Sequence, residues 1–223
     1  MVIEQLNNLD TSLLLAINGW HNTFLDTFLW NVSQKYTWIA MYAVMVFLLV
    51  WRYGIQKKEG KRIIIVVCIL IALVTAFGLA DWLSHTLKHV ICRPRPTREE
   101  GLSGILHIVN GYRGGKYGFP SSHAADSFAI ALLFSLIWRD WRTTLPLMLW
   151  VAMNCWSRMY LGVHYPGDII AGLLLATVIV LPICFILCKT GIIKKGETQV
   201  SPSWLEYALP AVFILSLTIC AIV

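Results

Sequence analysis

Apolar residues gather in six long blocks along this chain, at 37–53, 63–92, 121–138, 145–161, 167–189 and 207–223. A helix crosses the hydrocarbon core of a bilayer with roughly 20 apolar residues, and about 17 is the lower limit. Each block therefore predicts a membrane-spanning helix. The block 63–92 is long, and its second half carries Asp81, Ser84, His85, Lys88 and His89. That pattern predicts a helix that projects beyond the lipid. Residues 1–35 read differently. The stretch LNNLDTSLLLAING places Leu and Ile at helical spacing with polar residues between them. It is too short to span, so it predicts one or two amphipathic helices lying in the interface, with a turn at Asn18-Gly19.

The connection 93–120 is long and punctuated by glycines, and Leu102, Ile105, Leu106, Ile108 and Val109 offer it a short amphipathic piece. A long ordered loop of this kind serves as a lid or as a plain interfacial connector. The expected architecture is all-α: a polytopic membrane helix bundle in one domain spanning 1–223. Residues 1–35 form its interfacial segment and 37–223 its six-helix bundle, with 93–120 as an extracytoplasmic loop over the site.

Composition supports this reading. Hydrophobic residues make up 57% of the 223 residues and charged residues 13%, against about 45–50% and about 25% in soluble domains. The net charge of +6 is carried by short loops, so it points to membrane orientation and an anionic substrate rather than to nucleic acid. Several of the ten Trp, among them Trp38, Trp51, Trp82, Trp138, Trp141 and Trp156, sit where apolar blocks meet polar loops, as interfacial belts require. The six cysteines show no zinc spacing and lie mostly inside apolar blocks, where free Cys packs as a small hydrophobe. No basic region precedes an apolar core at the N-terminus, so no cleavable signal peptide is expected.

Loop charge sets the expected orientation. Arg52, Lys57, Lys58, Lys61 and Arg62, then Arg139 and Arg142, then Lys189, Lys194 and Lys195 place ten basic residues on one side. The other side holds eight, of which Lys88, Arg93, Arg95 and Arg158 have a chemical reason to be there. Discounting those four leaves the first side cytoplasmic. The protein is thus expected in the cell (inner) membrane with its reactive residues on the extracytoplasmic side.

Those reactive residues fall in three stretches at the ends of apolar blocks: KHVICRPRP with Lys88 and Arg95, PSSH at 120–123, and SRMYLGVHYPGD with Arg158, His164 and Asp168. Pro166 suits the first turn of a helix, which puts Asp168 in that turn and His164 just before it. The carboxylate can then hold one imidazole nitrogen and leave the other a better nucleophile. Pro120 is expected to open a second helix, with Ser121 as its cap and the backbone N–H groups of Ser122 and His123 free for an anion. His123 is suited to general acid chemistry near neutral pH. Lys88, Arg95 and Arg158 match the charge that develops on a transferring phosphoryl group, and three cations make a divalent metal unnecessary. Taken singly, each cation also fits a snorkelling residue near a helix end. Coincidence of all three stretches at one membrane face favours a site.

The three stretches resemble the signature of the type 2 phosphatidic acid phosphatase superfamily, K-x6-R-P, P-S-G-H and S-R-x5-H-x3-D. Lys88, Arg95 and Pro96 fit the first part, Pro120, Ser121 and His123 the second, and Ser157, Arg158, His164 and Asp168 the third. The match covers 88–168. Ser122 departs from it, standing where the family usually has Gly. The resemblance implies a phosphohistidine on His164, leaving-group protonation by His123, attack by a water that His123 activates, and no metal or other cofactor. Ser121 and Ser122 join Lys88, Arg95 and Arg158 as phosphate-binding residues. The N-terminal stretch INGWHNTFLDTFLWNVS is loosely similar to bacterial members acting on undecaprenyl diphosphate, which is the substrate expected first. Phosphatidylglycerol phosphate, phosphatidate and lipid A phosphates stand as alternatives.

The same residues also resemble those of vanadium haloperoxidases, but a soluble haloperoxidase has no need of six spans. A lipid phosphotransferase fits the same site. A phospholipid transporter or binder is disfavoured, because no internal repeat is visible and binding needs no nucleophile–carboxylate pair. Among the remaining ionisable residues, Asp81 is expected to pair with a site cation. His85 and His89 are four apart but lack a third metal ligand. Arg93 and Arg98 are placed to touch a second phosphate or the headgroups, and Glu99 and Glu100 read as solvated. The expected partners are a lipid phosphate and the bilayer.

Overall fold

The computed structural model describes residues 2–56, 62–193 and 205–222. Lys57, Lys58, Lys61, Lys194 and Lys195, part of the charge count for orientation, lie outside the described residues. Among those described, the chain forms eight α-helices and no strands. They are α1 (Val2–Gly19), α2 (Thr23–Val32), α3 (Ile39–Leu49), α4 (Arg62–Ile91), α5 (Ser122–Trp138), α6 (Trp141–Tyr160), α7 (Pro166–Lys189) and α8 (Ala208–Ile222). A 3-10 turn, Lys35–Trp38, leads into α3, and a π-helical stretch, Val50–Gln56, continues it.

Among the described residues, three segments are long and apolar enough to cross a membrane: Lys35–Ile55, Ile63–Ile91 and Pro166–Lys189. Ser122–Trp138 and Ala208–Ile222 are shorter apolar helices.

Helix α5 is the axis of the bundle and packs on α4, α6 and α7. Its contact with α7 is close because Gly172 has no side chain. A Cβ there would stand 2.6 Å from the Ser121 carbonyl oxygen. Helix α8 packs on α2, α3 and α6. At one end of the bundle, Arg52 donates to the Trp138 carbonyl at 2.9 Å and lies over its ring. The C-terminal ends of α3 and α5 therefore meet there, at the end opposite the start of α5. Helix α4 ends at Cys92, a non-glycine residue with φ 56°, the left-handed conformation that closes helices.

The N-terminal helices clasp the end where α5 begins, and Asn18 shows how. Helix α1 runs through Gly19, so the turn expected at Asn18-Gly19 falls later, at residues 20–22. Asn22 caps α2 by accepting from Leu25 N–H at 2.9 Å. Asn18 is buried because it works as a tertiary anchor. Its amide donates to Tyr160 O at 2.7 Å and His107 O at 2.9 Å, and its oxygen accepts from His107 N–H at 2.8 Å. Asp26 on α2 adds bonds to Tyr160 at 2.5 Å and His107 at 2.8 Å.

The connection 93–120 is tied down on both sides. Its two ends meet at an isolated Pro94–Tyr117 bridge, and Thr97 and Arg113 exchange two hydrogen bonds of 2.7 and 3.0 Å. Leu106 packs with Leu14 and Tyr165, and Val109 with Leu29, Tyr160 and Val163. Its apolar residues thus join α1 and α2 to the α6–α7 junction.

Replacing Asn18 with Ala strands the buried Tyr160 carbonyl and the half-buried His107 carbonyl and N–H. The expected cost is about 2 kcal/mol, or a fall of about 4–8 °C in thermal midpoint, measured by unfolding of the purified protein in detergent. An unchanged midpoint would show that Asn18 does not anchor α1.

Candidate active site

The three chemical stretches converge at the clasped end of the bundle. Helix α7 starts at Pro166, with Asp168 in its first turn and His164 two residues before its start. The His164 Nδ1 lies 3.3 Å from Asp168 Oδ2, and its Nε2 lies 3.1 Å from Arg95 Nη1. A guanidinium only donates, so Nε2 accepts and the ring proton sits on Nδ1, toward the carboxylate. His164 is 1% exposed and the Asp168 side chain 0%. The nucleophile-type nitrogen is thereby held with its lone pair toward the cations.

Asp168 is held in turn. Its Oδ2 accepts from Tyr165 N–H at 3.1 Å, and its Oδ1 accepts from Arg93 Nη1 at 2.9 Å. Arg93 also binds Asp10 on α1 at 2.7 Å and stacks over the Tyr165 ring, 4.1 Å from its centre. Asp10 completes the chain by accepting from Gly167 N–H at 2.6 Å. Two glycines make room. A Cβ on Gly118 would come within 2.8 Å of Asp168 Oδ2, and one on Gly167 within 2.8 Å of Asp10 Oδ2.

The second stretch caps α5, though not as Pro120 predicts. The helix begins at Ser122, and Pro120 stands outside it, after a cis peptide bond. Ser121, in extended conformation, supplies the cap to Ala124 N–H and gives its own N–H to the Asp168 carbonyl at 2.9 Å. Ser122 and His123 occupy the first turn, where backbone N–H groups lack helical partners. The Ser122 hydroxyl accepts from the Lys88 ammonium and, at 2.8 Å, from Ser84. The residue that departs from the family pattern thus orients a cation.

Arg95 is braced by Tyr117 O at 3.1 Å and Val163 O at 3.3 Å. Arg158, 2% exposed, donates to the Tyr112 hydroxyl at 3.0 Å, while its buried Nε has no partner among the described residues. Burial and the Arg158 charge lower the Arg95 pKa to about 10, so it stays charged at neutral pH. Burial, then Arg95, Arg158 and Lys88, hold the His164 imidazole well below its usual range. His123 lies within electrostatic range of Arg158, His164, Lys35 and Arg95. The charge pattern asks for an anion.

The remaining sequence candidates fall as follows. Ser157 bonds the Asn154 carbonyl of its own helix. Asp81 is exposed on α4 and forms no ion pair with a site cation among the described residues. Arg93 is engaged with Asp10 and Asp168, and Arg98 bonds the Gly114 carbonyl at 3.1 Å. Glu99, read as solvated, accepts from the Tyr165 hydroxyl. His85 and His89 are ring neighbours, 4.8 Å between centres. Among the described residues no three His, Cys, Asp or Glu side chains gather as a metal site. Asp10 and Tyr112 were missed by the sequence reading. Neither belongs to a local motif, and both reach the site only through tertiary packing.

Comparison with known proteins defines the class. A family model described as PAP2 superfamily matches residues 69–192. A lipid A 4'-phosphatase of Bacteroides thetaiotaomicron is 36% identical over 77% of this chain and 73% of its own length. An undecaprenyl-diphosphatase of Sulfolobus acidocaldarius is 28% identical over 87% and 82%. The crystal structure of Aquifex aeolicus LpxE superposes with a TM-score of 0.61 at 22% identity, covering 78% of this chain and 94% of that one. This is a membrane lipid phosphatase, a hydrolase acting on phosphate esters. The chain belongs to the PAP2 superfamily.

The depressed His164 pKa has a consequence for stability. Unfolded His takes a proton near pH 6.5, whereas folded His164 resists it, so its contribution is full above about pH 6.5 and is lost as pH falls below. The drop in thermal midpoint from neutral to acid pH is expected to be smaller in His164→Asn than in wild type. Equal drops would contradict the cationic surroundings assigned to the ring.

Proposed function

We propose that the protein is a six-span phosphatase of the inner membrane, working on lipid phosphates from the extracytoplasmic leaflet through a phosphohistidine at His164. The observation that carries this reading is the orientation of His164, with Nδ1 on Asp168 and Nε2 facing Arg95. The whole chain acts as one domain. Helices α3 to α8 are its spans, and 93–120 covers the site. Helices α1 and α2 lie in the interface, a placement supported by the exposed Leu6, Leu9 and Leu13 on α1 and by Trp20 and Phe24.

In this reading the phosphate lies among Lys88, Arg95, Arg158 and the backbone N–H groups of Ser122 and His123. Ser121 contributes by capping α5 and tying it to α7. His164 Nε2 attacks phosphorus as the bond to the lipid oxygen breaks, and protonated His123 gives its proton to that oxygen. The phosphate dianion supplies the counter-charge that favours the proton on His123. Neutral His123 then takes a proton from water, the hydroxide oxygen bonds to phosphorus, and the phosphorus–nitrogen bond breaks to release phosphate. The cations stabilise the equatorial oxygens throughout.

For the substrate, the similarity to the lipid A 4'-phosphatase supports a phosphate monoester on a lipid A-type headgroup. The similarity to the undecaprenyl-diphosphatase supports a second reading, undecaprenyl diphosphate, which the N-terminal stretch of the sequence also favours.

Phosphate release by wild type and His164→Ala, with chelator present, tests the mechanism. Loss of at least about a thousandfold in kcat is expected for the variant, and chelator is expected to leave wild type active. Near-wild-type turnover by His164→Ala would exclude the phosphohistidine route. Run side by side on lipid A, undecaprenyl diphosphate, phosphatidylglycerol phosphate and phosphatidate, the same assay ranks the substrates by kcat/KM.

A further inference from the structure

A cavity of about 400 Å³ opens from the membrane face of the bundle toward His123. Its walls are apolar and include Met45, Leu49, Leu73 and Phe77. Val46, Val74 and Phe77 are exposed on the outer surface at its edge. The cavity exists because α3 and α4 approach closely only at the far end, where the stretch Val50–Gln56 packs on α4. The inner end is polar, with Lys35, His123, Asp126 and Asn154 in the lining.

Asp126 is the unexplained group there. It follows His123 by three residues on α5, so it shares that face about 4.5 Å deeper in the membrane. Its Oδ1 is buried and has no hydrogen-bond partner among the described residues. It makes no bond to His123, so it does not orient that ring. An unpaired buried acceptor is costly, and an ionisable residue at membrane depth marks a functional site by default. Asp81, of like charge, and then Lys35 and Lys88, of opposite charge, act on it through space.

Depth suggests the ligand. A lipid phosphate enters with its phosphate outermost, and the alcohol it is bonded to lies inward. One helical turn below His123 is therefore the position of the first polar groups of the leaving alcohol. We propose that Asp126 accepts a hydrogen bond from a hydroxyl or amide N–H close to the scissile phosphate ester, with the apolar chain in the cavity. It thereby selects lipids with such donors, as in an acylated sugar, over polyisoprenyl diphosphates, which carry none. The inference rests on the lipid-phosphatase reading and narrows its substrate class.

The test uses the purified full-length chain in detergent micelles with two phosphate monoesters of equal chain length. One carries an amide N–H and a hydroxyl near the phosphate-bearing carbon, and the other is a plain alkyl phosphate. Wild type is expected to favour the donor-bearing ester by about tenfold or more in kcat/KM. In Asp126→Ala this ratio is expected to fall toward one. Asp126→Asn keeps an acceptor oxygen in the same volume and is expected to hold the larger share of it. Turnover of both esters by wild type without preference, an undiminished ratio in Asp126→Ala, or an Asn variant that loses the ratio as fully as the Ala variant overturns this inference alone. Turnover of neither ester by wild type, with lipid A and undecaprenyl diphosphate also unprocessed, overturns the phosphatase reading with it.

Discussion

A carboxylate with no exposed surface must have its oxygens satisfied by the protein, and Asp168 meets that demand three ways. It holds His164, the Tyr165 backbone and Arg93 at once. Each partner then fixes something else. Arg93 draws Asp10 and with it α1 onto the site. The backbone bonds of residues 165–168 start α7 in the right register. The missing side chains at Gly118 and Gly167 are the space these bonds require. Burying such a group is unfavourable without partners of this quality, so the local sequence is constrained far more tightly than the surrounding apolar surface.

The cations form the complementary half. Lys88, Arg95 and Arg158 arrive from α4, the connection after it and α6, and each is braced by a neutral oxygen: Ser122, two carbonyls, and the Tyr112 hydroxyl. Among the described residues, none of these three is neutralised by a carboxylate contact of the kind Arg93 makes. The close α5–α7 packing over Gly172 brings the two helix starts together, so their N–H groups add to the same positive field. A pocket built this way suits an anion, and the apolar cavity beside it has the character a lipid tail would need.

Much of this was legible in the sequence because the forces involved are local. Apolar block lengths placed the starts of α4, α5 and α7 within one residue, and Pro166 marked the α7 terminus. Where tertiary bonds decide, the sequence signal fails. Asn18 looked like a turn residue but is a buried anchor. Pro120 looked like a helix start but stands two residues before one, because Ser121 takes the cap position. Glu99 is exposed as expected and also meets Tyr165, whereas Asp81, expected to pair, is exposed on α4. Asp10 and Tyr112 carry no local pattern at all, since their partners lie far along the chain.

The central claim is that Asp168 holds Nδ1 of His164 and leaves Nε2 as the attacking nitrogen. Rapid quenching of a His123→Ala variant during turnover, followed by peptide mass spectrometry and 31P spectroscopy of the modified histidine, tests it most directly. The account predicts phosphate on residue 164, bonded through Nε2 and labile in acid but stable in base. Phosphate bonded through Nδ1, or carried by another residue, would contradict it.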